Sequence, residues 1–324
     1  MSETPGRSWG YWTRAKLQML ADYLAGFATA SKGQAERVYL DAFAGEGSGL
    51  DRLTREEFPG SARIALEAGE SAGFTRFRYF EKGQRRAGDL EAQLQRDYPD
   101  RDIKVYEGDC NKTIPDALAE LKELNWAPTF AFVDPDGMEV AWDTLRVLAD
   151  HKRGYRSSGS TKPEYKVELW MLFPTSGIVR TLALKEEKVS DADIARATRL
   201  FGTDGWKPIH ELRVGGSISG AEAREEYVNL MRWRLEHVLG YRFAHPFELK
   251  NTKGSTLYHM IFATDSDAGT RIMAAIYANA AKRLPAMLEE ARNRISGQQA
   301  LDLGLAPAES EVGYQYEPPW EPRF

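Results

Sequence analysis

Five short strand-like runs recur along the first half of the chain, each followed by a Gly- or Asp-rich turn and then by a helical pattern. The runs are Arg37 to Phe43, Arg76 to Glu81 (RFRYFE), Ile103 to Tyr106, Thr129 to Val133 and Val167 to Phe173 (VELWMLF). Helical patterns lie over 9–30, Ser61 to Ala68, 82–97, 112–124 and about 140–150. Short apolar strands separated by amphipathic helices require crossover connections, and so a parallel sheet covered on both faces. The expected class is therefore α/β, with a mostly parallel sheet.

Beyond Phe173 the pattern changes. Residues 178–220 carry short helical pieces, 221–239 reads as a strong helix, and 267–295 as a long one. Between these helices, strand-like segments near 242–249 and 256–264 are joined by Asn251-Thr252-Lys253-Gly254, short enough to make them antiparallel. We expect them to complete the same sheet, with the last strand antiparallel among parallel neighbours. Residues 48–60 read as a polar loop, and the proline-rich tail 306–324 as irregular. The chain thus divides into an N-terminal helical extension (1–36), a ligand-binding core (37–177), an insertion that could cover a substrate (178–220), a C-terminal completion of the sheet (221–296) and a tail (297–324).

Composition narrows the class further. Hydrophobic residues make up 42% and charged residues 28% of the 324, which excludes a fibrous or disordered chain and supplies a core of normal size. The net charge of −5 means that any nucleic-acid contact needs a local basic patch. A single cysteine, Cys110, rules out an internal disulfide, and the five histidines show no metal-ligand spacing, so no metal is expected. No apolar stretch reads as a signal peptide or a membrane span, and a soluble cytoplasmic protein is the expectation.

Open α/β sheets bind ligands beyond the C-terminal ends of their strands. The residues there are Ala44 to Gly47, Glu81, Gly108 to Asn111, Asp134 to Gly137 and Pro174 to Gly177. A dinucleotide fingerprint needs a third glycine, where this chain has Leu50, and an acid about 20 residues on, where Glu81 stands 36 after Gly45. A nicotinamide cofactor is thereby disfavoured, and no phosphate-binding GxxxxGK[ST] occurs. S-adenosylmethionine (AdoMet) suits the pattern better. Gly45 and Gly47 let backbone lie against it, Glu81 can accept from both ribose hydroxyls, and Asp109 can accept from the adenine amine.

The ordered series Tyr39-Leu40-Asp41-Ala42-Phe43-Ala44-Gly45-Glu46-Gly47, Gly60-Ser61-Ala62, Phe80-Glu81, Gly108-Asp109-Cys110-Asn111 and Phe132-Val133-Asp134-Pro135-Asp136-Gly137 with Trp142 resembles the three-Cys-motif partner (TcmP) family. The N-terminal helix and Tyr258 to Asp265 are similar too, so the resemblance covers roughly 9–290. It implies a Rossmann-like, class I methyltransferase-like fold and a link to a three-cysteine, radical-SAM-like protein. It implies no substrate.

On these grounds Asp41, Phe43, Ala44, Gly45, Gly47, Glu81, Asp109, Cys110, Asn111 and Asp134 are the expected cofactor residues. Asp134, Pro135 and Asp136 are the expected catalytic ones. Asp134-Pro135-Asp136-Gly137 stands where amino-methylating enzymes carry D/N-P-P-Y/F, whose acid or amide accepts from the target amine. Gly137 replaces the closing aromatic, so base stacking would pass to Trp142, with Pro174 and Thr175 also on the substrate side. A nucleic-acid base or a related amine is the expected acceptor, and a non-turning AdoMet-binding partner protein is the alternative. Cys110 lacks the Pro-Cys context of a methylating nucleophile and reads as a small residue beside the cofactor. The basic loop 151–166 should fall on the opposite edge of the sheet. Residues 178–220, with Arg180, Arg199, Trp206, Lys207 and Arg213, leave from the ligand edge and are the better cover.

Overall fold

The computed structural model describes residues 8–51, 56–68, 73–152, 165–184, 189–296 and 314–323. In chain order its elements are β1 (Ser8–Trp9), α1 (Tyr11–Ala30), β2 (Val38–Asp41), β3 (Ser48–Asp51), β4 (Glu57–Pro59), α2 (Ser61–Glu67), β5 (Arg76–Glu81), α3 (Gln84–Asp97), β6 (Asp102–Glu107), α4 (Cys110–Glu120), a 3-10 turn (Lys122–Leu124), β7 (Thr129–Val133), α5 (Trp142–Asp150) and β8 (Glu168–Phe173). Then come α6 (Thr175–Thr181), α7 (Asp191–Phe201), α8 (Lys207–Val214), α9 (Gly220–His237), β9 (Phe243–Lys250), β10 (Thr256–Thr264) and α10 (Asp267–Ser296).

The main sheet has seven strands in the order β6-β5-β2-β7-β8-β10-β9. The first five are parallel, and β10 runs antiparallel to both β8 and β9. This is the expected Rossmann-like sheet, mostly parallel with its last strand antiparallel. Side-chain alternation divides the core in two. Tyr39, Phe130, Phe132, Trp170, Leu172, Met260 and Phe262 pack against α1, α2, α3 and α10. Leu40, Ala131, Val133, Leu169, Met171, Ile261 and Ala263 pack against α4 to α9.

Glu168, buried at the start of β8, accepts from the Tyr23 hydroxyl (2.6 Å) and the Thr264 hydroxyl (2.7 Å). This polar pin, with Leu20, Leu24 and Phe27 around it, seats α1 on the sheet.

Two segments differ from the pattern-based reading. Residues 48–60 are not simply a loop: β3 and β4 pair antiparallel, and β1 adds parallel to β3 as a small separate sheet. Backbone pairing alone makes these strands, so no alternating side-chain pattern announced them. The N-terminal helix starts at Tyr11 rather than residue 9, because Trp9 belongs to β1. As expected, residues 178–220 form short helices, much of α6 and all of α7 and α8, whose Ile178, Val179, Leu200, Phe201 and Ile209 are buried in the second half of the core.

The described tail, 314–323, has no regular structure but is tied down. Asn229 both donates to the Trp320 carbonyl (2.9 Å) and accepts from its N–H (3.0 Å). Arg232 donates to the Glu317 carbonyl, and the Tyr316 hydroxyl donates to Glu236 (2.5 Å). Among the described residues no helix is long and apolar enough to cross a membrane.

Candidate functional site

The chain leaves β2 outward to β5 and β6, then returns to β7 on the other side of β2. The strand order therefore reverses between β2 and β7, which opens a crevice at their C-terminal ends. Gly45 (φ 65°) and Gly47 (φ 76°) make the turn there in the left-handed region that side chains disfavour. A Cβ built on Gly45 meets nothing within 4 Å, so the turn faces open space. The excursion through β3 and β4 closes on itself where the Gly60 N–H donates to the Gly47 carbonyl at 2.9 Å.

Asp41, wholly buried beneath this turn, accepts from the Phe43 N–H and the Tyr39 hydroxyl at 3.3 Å each, and from the Ser61 hydroxyl. Burial pushes its carboxyl up to about 7, against those hydrogen bonds, and the nearby Asp134 charge adds to the rise. Phe43 is half-buried, and the Ala44 N–H donates to the Phe80 carbonyl at 3.0 Å. Asp41, Phe43 and Ala44 thus shape the turn from below.

At the tip of β5, Glu81 is nearly buried. Its Oε1 accepts from the Gly83 N–H (2.7 Å) and from Arg86 Nε (2.9 Å) and Nη2 (2.6 Å). All three bonds fall on one oxygen, and among the described residues none is made to Oε2. Arg86 went unnoticed in the sequence, because nothing distinguishes it from the other surface charges of α3.

After β6, Gly108 (φ 124°) leads into Asp109, the N-cap of α4, whose Oδ1 accepts from the Asn111 N–H (3.0 Å) and Nδ2 (2.8 Å). Asn111 is spent on the fold: Nδ2 also donates to the Glu139 carbonyl (2.9 Å), while Oδ1 accepts from the Ala141 N–H (2.8 Å) and Thr144 (2.7 Å). It ties α4 to the loop after β7. The Cys110 thiol is pushed up to about 12 by burial and then by the Asp109 charge, so it stays protonated and is no nucleophile at neutral pH.

The fourth tip holds Asp134 in an ion pair not anticipated from the sequence. Lys16 Nζ lies 2.5 Å from Asp134 Oδ2, with side-chain exposures of 5% and 22%. Lys16 also lies over the Tyr258 ring at 5.6 Å. The available signal was a lysine on the apolar stripe of α1, among Leu20, Tyr23, Leu24 and Phe27. Burial raises Tyr258, and the Asp134 charge adds to that. In the same loop the Gly137 N–H donates to Glu139 (2.6 Å), and Arg199 donates to the Met138 carbonyl (3.4 Å). Pro135 and Asp136 lie between these anchors.

Trp142 does not serve as a stacking surface here. Its ring is buried, with Arg234 4.3 Å from its centroid, and it lies so close to Gly202 that a Cβ there would meet it at 2.2 Å. The ring belongs to the helical layer, a role decided by partners far along the chain. Next to Pro174, Thr175 is also buried and shares a 2.8 Å hydrogen bond with His259 Nδ1. Burial lowers His259 to about 4, so the imidazole is neutral.

Of the expected cover residues, Arg180 is exposed and Trp206 is buried, donating to Thr198 (3.0 Å). Lys207 pairs with Asp204 (3.0 Å), and Arg213 donates to the Val179 (2.9 Å) and Leu182 (2.7 Å) carbonyls. Most of the basic loop, 153–164, lies outside the described residues. At its far end Lys166 pairs with Asp265 (3.1 Å) just before β8, on the sheet edge opposite the crevice.

No protein-family model matches the chain, and neither does any curated protein. Among solved structures it is similar to protein LPL1258 of Legionella pneumophila (10% identity, TM-score 0.37), covering 76% of this chain and 84% of that one. The methyltransferase domain of bacterial CtHen1 is similar at 10% identity and TM-score 0.36, covering 78% and 99%. A precorrin-6y C5,15-methyltransferase of Geobacter metallireducens follows at 11% and 0.29, covering 74% and 86%.

Proposed function

We propose that this chain is an AdoMet-dependent methyltransferase whose acceptor is an amine of a nucleic-acid base or a related compound. The observation that carries the reading is the nearly buried Glu81 carboxylate at the second strand tip, its Oε2 left over, in the same crevice as the open left-handed turn at Gly45. The residues fit the cofactor in kind. Glu81 Oε2 would accept from ribose hydroxyls, the second oxygen of Asp109 from the adenine amine, and the Phe43 to Gly47 backbone would line the amino-acid end. Bound AdoMet supplies an electrophilic methyl group. Asp134 would then orient the acceptor nitrogen by accepting one of its hydrogens, since alignment carries most of such a displacement. Membership of the three-Cys-motif partner family, with a functional link to a three-cysteine radical-SAM-like protein, is part of the same reading.

A second reading is favoured by one observation. With Gly137 in place of the closing aromatic and Trp142 taken into the helical layer, neither residue can stack on a base. A chain that binds AdoMet without turnover would look this way. Calorimetry with AdoMet, and with NAD as the control, tests the cofactor class: AdoMet should bind and NAD should not. Transfer of labelled methyl from AdoMet to nucleic acids or small amines separates the two readings.

A further inference from the structure

Lys16 reaches Asp134 from α1, which the Tyr23–Glu168 hydrogen bond and the surrounding apolar side chains seat on the sheet. Its ammonium is nearly buried, so its charge is screened little by solvent. Among the described residues, Asp41, Tyr39 and Tyr258 also sense the Asp134 charge, and Asp136 and Glu139 follow it in the same loop. The two phenols are neutral, and burial holds Asp41 partly protonated near pH 7. At the Asp134 side chain itself, cation and anion are thus in direct contact.

We infer that Lys16 is a positioning and specificity residue that offsets the charge of Asp134, so that the methylated group is an uncharged N–H donor, such as an aromatic amine or an amide, and not an alkylammonium. The inference rests on the methyltransferase reading above. An unpaired carboxylate would draw an alkylammonium into the crevice and hold it protonated, with no lone pair to attack. Paired with Lys16, Asp134 still has a second oxygen to accept from a neutral N–H, while a second cation would meet the ammonium of Lys16. In the transfer, the nitrogen lone pair forms the N–C bond and the C–S electrons pass to sulfur. The sulfonium becomes a neutral thioether, and the nitrogen sheds its N–H proton to water.

The test needs no known acceptor. Two cofactor analogues are titrated by calorimetry: S-adenosylhomocysteine, which is neutral at sulfur, and the AdoMet analogue that carries a primary ammonium in place of the methylated sulfonium. In the wild-type protein the ammonium analogue should bind no more tightly than S-adenosylhomocysteine. Lys16→Met should raise the relative affinity for the ammonium analogue about tenfold, because an unpaired Asp134 remains. Lys16→Arg should keep the wild-type ratio, and the double change Lys16→Met with Asp134→Asn should restore it. A mere structural role for Lys16 would weaken both ligands together and leave the ratio unmoved.

A wild-type preference of tenfold or more for the ammonium analogue overturns the inference, as does an unchanged ratio in a folded Lys16→Met. Should that variant not fold, Lys16→Gln takes its place, and the wild-type ratio decides independently of any variant. If the wild-type protein binds neither AdoMet nor the two analogues, it is the cofactor reading that falls.

Discussion

The 2.5 Å contact between Lys16 Nζ and Asp134 Oδ2 joins the N-terminal helix to the tip of the fourth parallel strand. It holds one oxygen of the carboxylate in a set direction and leaves the other outside the pair. Removing one member of a buried pair strands the other charge, at a cost of about 3 kcal/mol or more, and less here because Asp134 is 22% exposed.

Asp134→Asn should therefore keep AdoMet affinity within about twofold and retain more methyl transfer than Asp134→Ala, because the amide oxygen still accepts a hydrogen bond. Both variants should melt at lower temperature than the wild type, since Lys16 loses its counter-charge. Equal wild-type rates in both variants, once an acceptor is in hand, would reduce Asp134 to a turn residue.

Glu81→Ala should weaken AdoMet binding by one to two orders of magnitude, because a charge-assisted hydrogen bond contributes roughly 1.5–3 kcal/mol. Arg86 loses its partner in the same change, so the melting temperature is measured alongside. An intact fold with unchanged calorimetric affinity would remove Glu81 from the site.

Gly60→Ala should damage the site without touching a ligand. Its Cβ would sit 2.9 Å from the Gly47 carbonyl carbon, and that neighbour is backbone, which cannot rotate away. The hydrogen bond closing the excursion would open, and the turn at Gly45 and Gly47 would lose its base. We expect a lower melting temperature and weaker AdoMet binding together, whereas Gly33→Ala, with nothing within 4 Å of its Cβ, should change neither.

Stability should fall on mild acidification. His245 is buried and His259 half-buried, and desolvation lowers both from 6.5 to about 4, so the folded protein binds fewer protons there than the unfolded chain. Their contribution is complete above pH 6.5 and is lost as the pH falls toward 4. Asp41 acts in the opposite sense: raised from 3.8 to about 7, it withdraws stability as the pH rises through that interval. Thermal melts between pH 4 and 7 should show a net acid limb that His245→Gln makes shallower. An unchanged slope in that variant would show that His245 does not carry it.

The order of strands and helices was legible in the residues, because periods of 2 and 3.6 are local properties of a chain. Phe130 to Val133 is apolar throughout, as a strand buried on both faces should be. The strand-tip residues followed from the same argument, since Glu81, Asp109 and Asp134 each stand at or just beyond a readable strand end. Three things depended on the tertiary structure. The pairing of β3 with β4 and β1 rests on backbone hydrogen bonds, which leave no side-chain pattern to read. Trp142 could have faced a ligand or the core, and Arg234 and Gly202, supplied by α9 and the end of α7, settled it for the core. Lys16 meets Asp134 across 118 residues of sequence, a contact with no local signature. Folding brings them together because hydrophobic burial and the Glu168 pin seat α1 on the sheet, and an ammonium carried down with that helix needs an anion where it arrives.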